Sequence, residues 1–305
     1  MIRFVFLAAL LLSPTGCARR DSLVGQEVSG TFHEKLRSWT LFDPTPSAAG
    51  QRPLVVLLHG HGGTGAGMQR LSGMNKLAAQ HGFVALYPDG LNKRWRDGRK
   101  AMDDGIDDVA FVTELIQQVI AQGKIDARRV YLTGMSNGAF MTHRLLCEPA
   151  QVLFAAAAPV SGGMSVETSG HCEVQDPPAV ALLNGTQDPL VPYDGGPVAR
   201  KSGKNGEMIS TDQTLALRRR LAGCTDKPSS QAVIAEASAD FYSEITTWRE
   251  NCPDREVALI RTNGGGHAWP GGWGYLPEIV IGKTTRTFDA SVWMWAFFSR
   301  HARQK

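Results

Sequence analysis

The pentapeptide Gly134-Met135-Ser136-Asn137-Gly138 places a serine between two glycines, directly after a short apolar run. At a junction between a strand and a helix, G-x-S-x-G is a nucleophile elbow, in which the serine lies on a sharp and strained turn. A Cβ on either side of such a turn would collide with a neighbouring strand or helix, so both flanking positions require glycine. A pattern this short also arises by chance, so the prediction that Ser136 is a nucleophile depends on its surroundings.

A serine hydroxyl becomes nucleophilic when a general base removes its proton and a third group orients that base. With this elbow, the carboxylate and then the histidine follow the serine in the chain, each at the end of a later strand. Asp188 follows the apolar run 180–183, and His267 follows three glycines that let its loop fold back over the sheet. We therefore predict that His267 is the base for Ser136 and that Asp188 orients His267. Asp194 is the weaker alternative to Asp188, because it lies farther from the strand end.

Acyl transfer also requires hydrogen-bond donors where the oxyanion of the tetrahedral intermediate forms. The backbone N–H groups of Asn137, after the elbow, and of His61, in a glycine-rich loop, are the predicted donors. His59 and His61 form a His-x-His pair, which is also a pattern that binds metals. No carboxylate or further histidine follows at ligand spacing, so the sequence favours the oxyanion interpretation and predicts no metal or other cofactor.

These residues need a scaffold that gathers several strand ends at one edge. Continuous apolar runs, typical of strands buried on both faces, occur at 54–58, 84–87, 130–133, 154–160 and 180–183, with later strands at 246–248 and 257–261. Apolar residues at helical spacing occur at 67–81, at 109–120, after the elbow and from about residue 289. This alternation predicts an α/β fold, with a doubly wound and mostly parallel sheet in a single domain over residues 25–305. The glycine- and lysine-rich segment 194–210 is predicted to lack regular structure.

The first residues have the pattern of a secretory signal peptide, predicted to cover residues 1–17. Arg3 precedes the apolar run 4–12, and small residues follow. Nine apolar residues are too few to cross a bilayer, which needs about 20. Cys17 is a candidate for lipidation, although Pro14 stands where a bacterial lipobox usually has Leu, and cleavage near Ala18 is the alternative. In both cases we expect a secreted, periplasmic or cell-surface protein, with membrane contact only through a lipid at Cys17.

Four further cysteines suggest two disulfides, because an exported chain with an even number of cysteines usually pairs them. Three pairings are possible. Cys147 with Cys172 and Cys224 with Cys252 are favoured, since each pair closes a short loop, and buried free thiols are the alternative.

The composition indicates an ordinary globular protein. Hydrophobic residues account for 43% and charged residues for 20%, and the net charge of +3 is too small to suggest a nucleic-acid binder. Neither charge nor composition indicates an obligate protein partner.

Several motifs occur in a fixed order: Leu57-Leu58-His59-Gly60, Tyr87-Pro88-Asp89-Gly90, Asp107-Asp108-Val109, the elbow, Asn184-Gly185-Thr186-Gln187-Asp188 and Gly266-His267-Ala268-Trp269-Pro270-Gly271. This set, from about 54 to 272, resembles the polyhydroxybutyrate depolymerase-like esterases, which are related to the feruloyl and acetyl xylan esterases of carbohydrate esterase family 1. The resemblance implies an α/β-hydrolase fold and a secreted serine esterase whose triad matches Ser136, Asp188 and His267. Members that act on solid polyester often carry a cysteine where this chain has His61, and no appended substrate-binding domain is evident, which argues against solid polymer.

The expected ligand is an ester, either a short hydroxyalkanoate or a feruloyl or acetyl ester of polysaccharide. Candidate substrate-binding residues are His59, Trp95, Trp269, Trp273 and Tyr275, although aromatic side chains in loops are as often packing anchors. A serine peptidase of the same fold and a non-catalytic binding protein on this scaffold are the alternatives, because one fold supports many functions.

Overall fold

The structure, a computed structural model, describes residues 23–199, 204–238, 240–250, 252 and 255–304. The predicted signal peptide and Cys17 lie outside the described residues. Within the described ranges, no helix combines the length and the apolar character that a membrane span requires.

The strands in chain order are β1 (Gln26–Phe32), β2 (Lys35–Phe42), β3 (Arg52–Leu58), β4 (Val84–Pro88), β5 (Ile125–Met135), β6 (Ala156–Val160), β7 (Ala179–Gly185), β8 (Gly196–Pro197), β9 (Glu207–Met208), β10 (Ser230–Ser238), β11 (Phe241–Trp248) and β12 (Val257–Asn263). The α-helices are α1 (Gly65–Ser72), α2 (Met74–His81), α3 (Asp108–Ala121), α4 (Asn137–Leu145), α5 (Val166–Ser169), α6 (Thr211–Ala222), α7 (Glu278–Ile281) and α8 (Ala290–Phe298). Short 3₁₀ turns occur at Leu91–Lys93, Lys100–Met102 and Pro149–Leu153.

The main sheet has the strand order β1-β2-β4-β3-β5-β6-β7-β12-β11-β10. The central strands, from β4 to β12 in this order, pair in parallel, and the two outer strands on each side pair antiparallel. The predicted mostly parallel α/β sheet is therefore confirmed. Since the carboxyl ends of parallel strands meet at one edge, the loops after β3, β5, β7 and β12 leave the sheet on the same side.

The sheet is covered on both faces, which explains the continuous apolar runs. In β3, alternate residues point to opposite faces. Leu54 and Leu58 belong to a core that includes Phe111 of α3, while Val55 belongs to a second core that includes Phe298 of α8. All five residues of 54–58 are fully buried. A strand buried on both faces has no polar side to interrupt its apolar sequence.

Several elements differ from the sequence predictions. The helix predicted at 67–81 is two helices, because Gly73 adopts a left-handed conformation (φ 61°) that ends α1. The strand β10 and the helix α6 were not predicted. In α6, charged residues interrupt the apolar spacing, although the capping box of Ser210 and Gln213 is a sequence signal for a helix start. Segment 194–210, predicted to be irregular, contains the paired strands β8 and β9.

Both predicted disulfides are confirmed. The bridge between Cys147 and Cys172 joins the turn that follows α4 to the segment that follows α5, with 4.7 Å between the two Cα atoms. Cys224–Cys252 joins the end of α6 to the loop between β11 and β12, with a Cα separation of 5.0 Å. The first bridge therefore fixes the far end of the helix that begins at the elbow.

Candidate active site

Ser136 occupies the turn between β5 and α4 with a positive φ of 58° and a ψ of −120°, a conformation that non-glycine residues rarely adopt. Its N–H donates to the carbonyl of Val160 in β6 at 3.0 Å, which ties the turn to the neighbouring strand. A Cβ on Gly134 would lie 2.4 Å from the carbonyl oxygen of Gly138, and a Cβ on Gly138 would lie 2.3 Å from that of Leu58. The two glycines are therefore required by close backbone approach.

His267 and Asp188 form a buried pair at the ends of β12 and β7. His267 Nδ1 lies 2.7 Å from Asp188 Oδ2, while Asp188 Oδ1 accepts the N–H groups of Leu190 and Val191 at 2.8 and 2.7 Å. Because a carboxylate oxygen accepts, the neutral tautomer of His267 that fits this contact has its proton on Nδ1 and leaves Nε2 as the acceptor. The parallel pairing of β7 with β12 brings the two loops together. Asp194, the alternative carboxylate, is exposed to solvent.

Ser136 and His267 line one cavity of about 540 Å³, together with His61 and Asn137. Most of its wall is apolar, with contributions from Met68, Leu71, Phe140, Leu190 and Val198. Arg99 adds a charged group to the wall. Around the mouth, Trp273 and Leu276 are 55% and 46% exposed. The cavity therefore suits a largely apolar ligand held against Ser136.

His59 fixes the loop that carries His61. Its Nε2 accepts the N–H of Gly90 at 2.9 Å, so its Nδ1 is protonated and donates to the carbonyl of Gly60 at 2.8 Å. Burial lowers the pKa of His59, although the Gly60 carbonyl opposes this, so the ring is neutral at pH 7. His59 lines the cavity, but both ring nitrogens are already engaged by the protein. In the described part of the chain, no group of three His, Cys, Asp or Glu side chains could hold a metal.

The prediction that Trp95 and Trp269 contact the substrate is wrong, because both are core residues. Trp95 is fully buried and its indole N–H donates to the His59 carbonyl at 2.9 Å. Trp269 is 1% exposed and donates to Ser291 Oγ at 3.0 Å. Neither is among the cavity-lining residues, whereas Trp273 and Tyr275 are. An indole whose N–H is satisfied inside the core acts as a packing anchor.

Asp97, Arg99 and the side chain of Asn137 are site residues that the sequence reasoning missed. Asp97 is fully buried, forms an ion pair with Arg99 and accepts from Asn137 Nδ2 at 2.6 Å. The Arg99 guanidinium lies over the Phe140 ring, 4.2 Å from its centroid. An asparagine directly after the nucleophile was the available signal, since any residue there can supply a backbone N–H.

A second buried group lies behind α4. His143 and Arg218 are fully enclosed, with Arg218 Nη2 donating to the His143 carbonyl at 3.1 Å and lying 3.2 Å from its Nδ1. Arg218 also contacts the sulfurs of Cys147 and Cys172. Burial, reinforced by the charge of Arg218, holds the pKa of His143 well below its usual value. His143 is thus neutral and structural.

The sheet order, the elbow after β5 and the Asp188–His267 pair after β7 and β12 define the class of α/β-hydrolases. The solved structure of acetyl xylan esterase from Aspergillus awamori superposes with a TM-score of 0.58 over 80% of this chain and 94% of that chain. At 17% identity this similarity supports the fold alone.

Sequence comparison gives the family. The profile described as Esterase PHB depolymerase matches residues 37–182. The protein named as esterase NocK, from Nocardia uniformis subsp. tsuyamanensis, is 32% identical over 261 residues, which are 81% of this chain and 74% of that protein. The protein named probable feruloyl esterase C, from Aspergillus flavus, is 28% identical over 90% of this chain and 94% of its own length. The chain belongs to the Esterase PHB depolymerase family, and its class of activity is esterase.

Proposed function

We propose that this protein is a serine carboxylic ester hydrolase in which Ser136 is the nucleophile, His267 the general base and Asp188 the residue that orients His267. One observation carries the proposal. His267, whose Nδ1 lies 2.7 Å from Asp188 Oδ2 in a buried contact, lines the same cavity as the strained Ser136. A serine, a histidine and a carboxylate act together in this way where a serine hydroxyl is activated for acyl transfer, which supports the proposal.

The reaction proceeds in two halves. His267 Nε2 takes the proton of Ser136 Oγ as Oγ attacks the ester carbonyl, and the resulting oxyanion accepts hydrogen bonds from the N–H groups of Asn137 and His61. The intermediate then breaks its bond to the alcohol oxygen, which receives the proton from His267. Water, deprotonated by the same histidine, attacks the acyl-enzyme to form a second tetrahedral intermediate. This breaks its bond to Ser136 Oγ, which takes the proton back from His267, and the carboxylic acid is released.

The apolar wall supports a substrate whose acyl group is aromatic or short and aliphatic. We propose feruloyl-type or acetyl esters of polysaccharide, or soluble hydroxybutyrate oligomers, as the candidate classes. The name of the Aspergillus flavus relative favours the feruloyl class. Comparing kcat/KM for methyl ferulate, p-nitrophenyl esters of increasing acyl length and a hydroxybutyrate oligomer separates them, and equal rates on all three would contradict a defined acyl pocket.

We also propose export from the cytoplasm. Two disulfides support this, because such bonds persist in oxidising compartments. The mass and N-terminal sequence of the protein isolated from its native location distinguish cleavage near Ala18 from a lipidated Cys17. A full-length, reduced chain would contradict both.

The nucleophile is tested with Ser136→Ala. This variant should lose nearly all hydrolysis of p-nitrophenyl butyrate and all labelling by a fluorophosphonate, since both require Oγ. Ser299→Ala, at an exposed serine of the C-terminal region, is the matched control and should behave as the unmodified protein. A folded Ser136→Ala protein that retains full activity would exclude the proposed mechanism.

A further inference from the structure

The side chain of Asn137 is held by three hydrogen bonds to one loop. Its Oδ1 accepts the backbone N–H of Trp95 at 2.7 Å, and its Nδ2 donates to the Trp95 carbonyl at 3.0 Å and to Asp97 Oδ2 at 2.6 Å. Asn137 is 2% exposed, and Trp95 and Asp97 are fully buried. A flipped amide would set Nδ2 against the N–H of Trp95 and Oδ1 against a carboxylate, so the side chain has one orientation.

We call these three hydrogen bonds of the Asn137 side chain the clamp. The clamp holds the residue whose backbone N–H, that of Asn137, has no acceptor within the helix. Asn137 is the first residue of α4, and the first N–H groups of an α-helix lack intrahelical acceptors. The direction of the Asn137 N–H is set by the ψ angle of Ser136, which belongs to a strained turn. A strained turn keeps its conformation only where the surrounding contacts hold it, and the Asn137 side chain supplies three of them.

The same loop also reaches the other predicted oxyanion donor. The indole N–H of Trp95 donates to the His59 carbonyl, and its ring lies 4.9 Å from the His59 ring. His59 in turn holds the Gly60 carbonyl, one residue before His61. Trp95 therefore connects both predicted donors through buried hydrogen bonds.

Asp97 is fixed from the opposite side by Arg99. Arg99 Nε donates to Asp97 Oδ1 at 3.1 Å and Arg99 Nη2 donates to Asp97 Oδ2 at 2.5 Å, while Arg99 Nη1 donates to the carbonyl of Asn205 at 2.8 Å. This fork geometry holds a carboxylate in one plane. Arg99 and Asn137 both line the cavity, whereas Asp97 is not among the lining residues and contacts them from within the protein.

We propose that the side chains of Asn137 and Asp97 are positioning residues for the oxyanion site: they hold the Asn137 N–H in the direction that the tetrahedral intermediate requires. The inference rests on the proposed function and adds to it a role for side chains that touch no substrate. It predicts that removing the clamp weakens transition-state binding more than substrate binding.

Asn137→Ala keeps the backbone N–H and removes all three bonds of the clamp. We expect kcat to fall about 10- to 100-fold with KM changed less than threefold, because a misdirected donor loses part of the 10² to 10³ that an oxyanion donor contributes. The Ki of a trifluoromethyl ketone inhibitor, whose serine adduct carries the same oxyanion, should rise by a similar factor. Asn75→Ala is the matched control, since Asn75 is also a buried asparagine but bonds to Tyr87 and Leu23. It should lower the Tm and leave kcat and Ki unchanged.

A reversal of polarity tests the contact with Asp97. Asn137→Asp places a second carboxylate at the 2.6 Å contact and should reduce kcat more than Asn137→Ala does. Adding Asp97→Asn removes one of the two facing carboxylates and hence their repulsion, so the double variant should recover at least fivefold over Asn137→Asp alone. A merely structural role predicts no such recovery in kcat per active site, as counted by fluorophosphonate titration.

The outcomes separate the two proposals. If Ser136→Ala is inactive while Asn137→Ala keeps the kcat and Ki of the unmodified protein, the positioning role is wrong and the esterase mechanism stands. If Asn137→Ala does not fold, Asp97→Asn alone provides the test: a threefold or greater loss of kcat with a matching rise in Ki supports the inference, and unchanged values overturn it. Activity retained by Ser136→Ala overturns the proposed function itself.

Discussion

Replacing Asp188 with asparagine tests how the His267 ring is oriented. In the protein, Asp188 Oδ1 accepts two backbone N–H groups and Oδ2 faces His267 Nδ1. In Asp188→Asn, the amide oxygen must keep the Oδ1 position, because an NH₂ group there would face two donors. The NH₂ group then faces His267 Nδ1, which must accept rather than donate. The proton moves to Nε2, and the histidine can no longer accept the proton of Ser136.

The expected loss is large for a substitution that changes so little volume. The corresponding change in chymotrypsin-like enzymes lowers kcat about 10⁴-fold, equivalent to about 5 kcal/mol of activation free energy. We expect a similar loss of kcat on p-nitrophenyl butyrate. Asp188→Ala should lose less activity, because without a partner at Nδ1 the His267 ring can adopt either tautomer. Asp194→Asn, which changes an exposed carboxylate on the same loop, should have no effect.

The tautomer can be measured directly. The protein should show a downfield proton NMR resonance from the Nδ1–H in its short contact with Asp188, and Asp188→Asn should lack it. If Asp188→Asn keeps a tenth or more of the activity, or is more active than Asp188→Ala, then Oδ1 does not fix the orientation of the amide and the reasoning is wrong.

Two further predictions concern stability. Burial lowers the pKa of Arg218 to about 9, and no carboxylate of the described residues pairs with it. Because an unpaired buried charge is costly, Arg218→Met should raise the unfolding free energy by about 1–3 kcal/mol in urea titrations. A loss above about 1 kcal/mol would show that the hydrogen bonds to His143 outweigh the cost of burying the charge. Burial alone would raise the pKa of Glu256, but His301 and Arg300 lower it to about 2. Its stabilisation is therefore complete above about pH 4.5 and is lost as the pH falls through 2, so Glu256→Gln should cost at most about 3 kcal/mol at pH 7 and progressively less below pH 4. A difference from the unmodified protein that is independent of pH would contradict this assignment.

Much of the site could be predicted from the sequence because chemistry and topology both restrict it. The elbow needs glycines at fixed positions, and parallel strands send Asp188 and His267 to the same edge. The roles of Trp95 and Asp97 could not be predicted in this way. Composition does not reveal which side of a loop faces the core, and the bond from Asn137 to Asp97 joins residues 40 apart in the sequence. The break at Gly73 was equally hidden, because the apolar spacing continues through it.

The site residues lie far apart in the sequence, and this separation determines when activity appears during folding. Asp188 and His267 are 79 residues apart and meet only when β7 pairs with β12, whereas the elbow requires only β3, β5 and β6 around it. A chain whose second half has not yet docked therefore carries Ser136, the proposed nucleophile, without His267, its proposed base. Ester hydrolysis during refolding should accordingly appear only once β7 has paired with β12, later than most helical circular dichroism, and can serve as a specific reporter of that pairing.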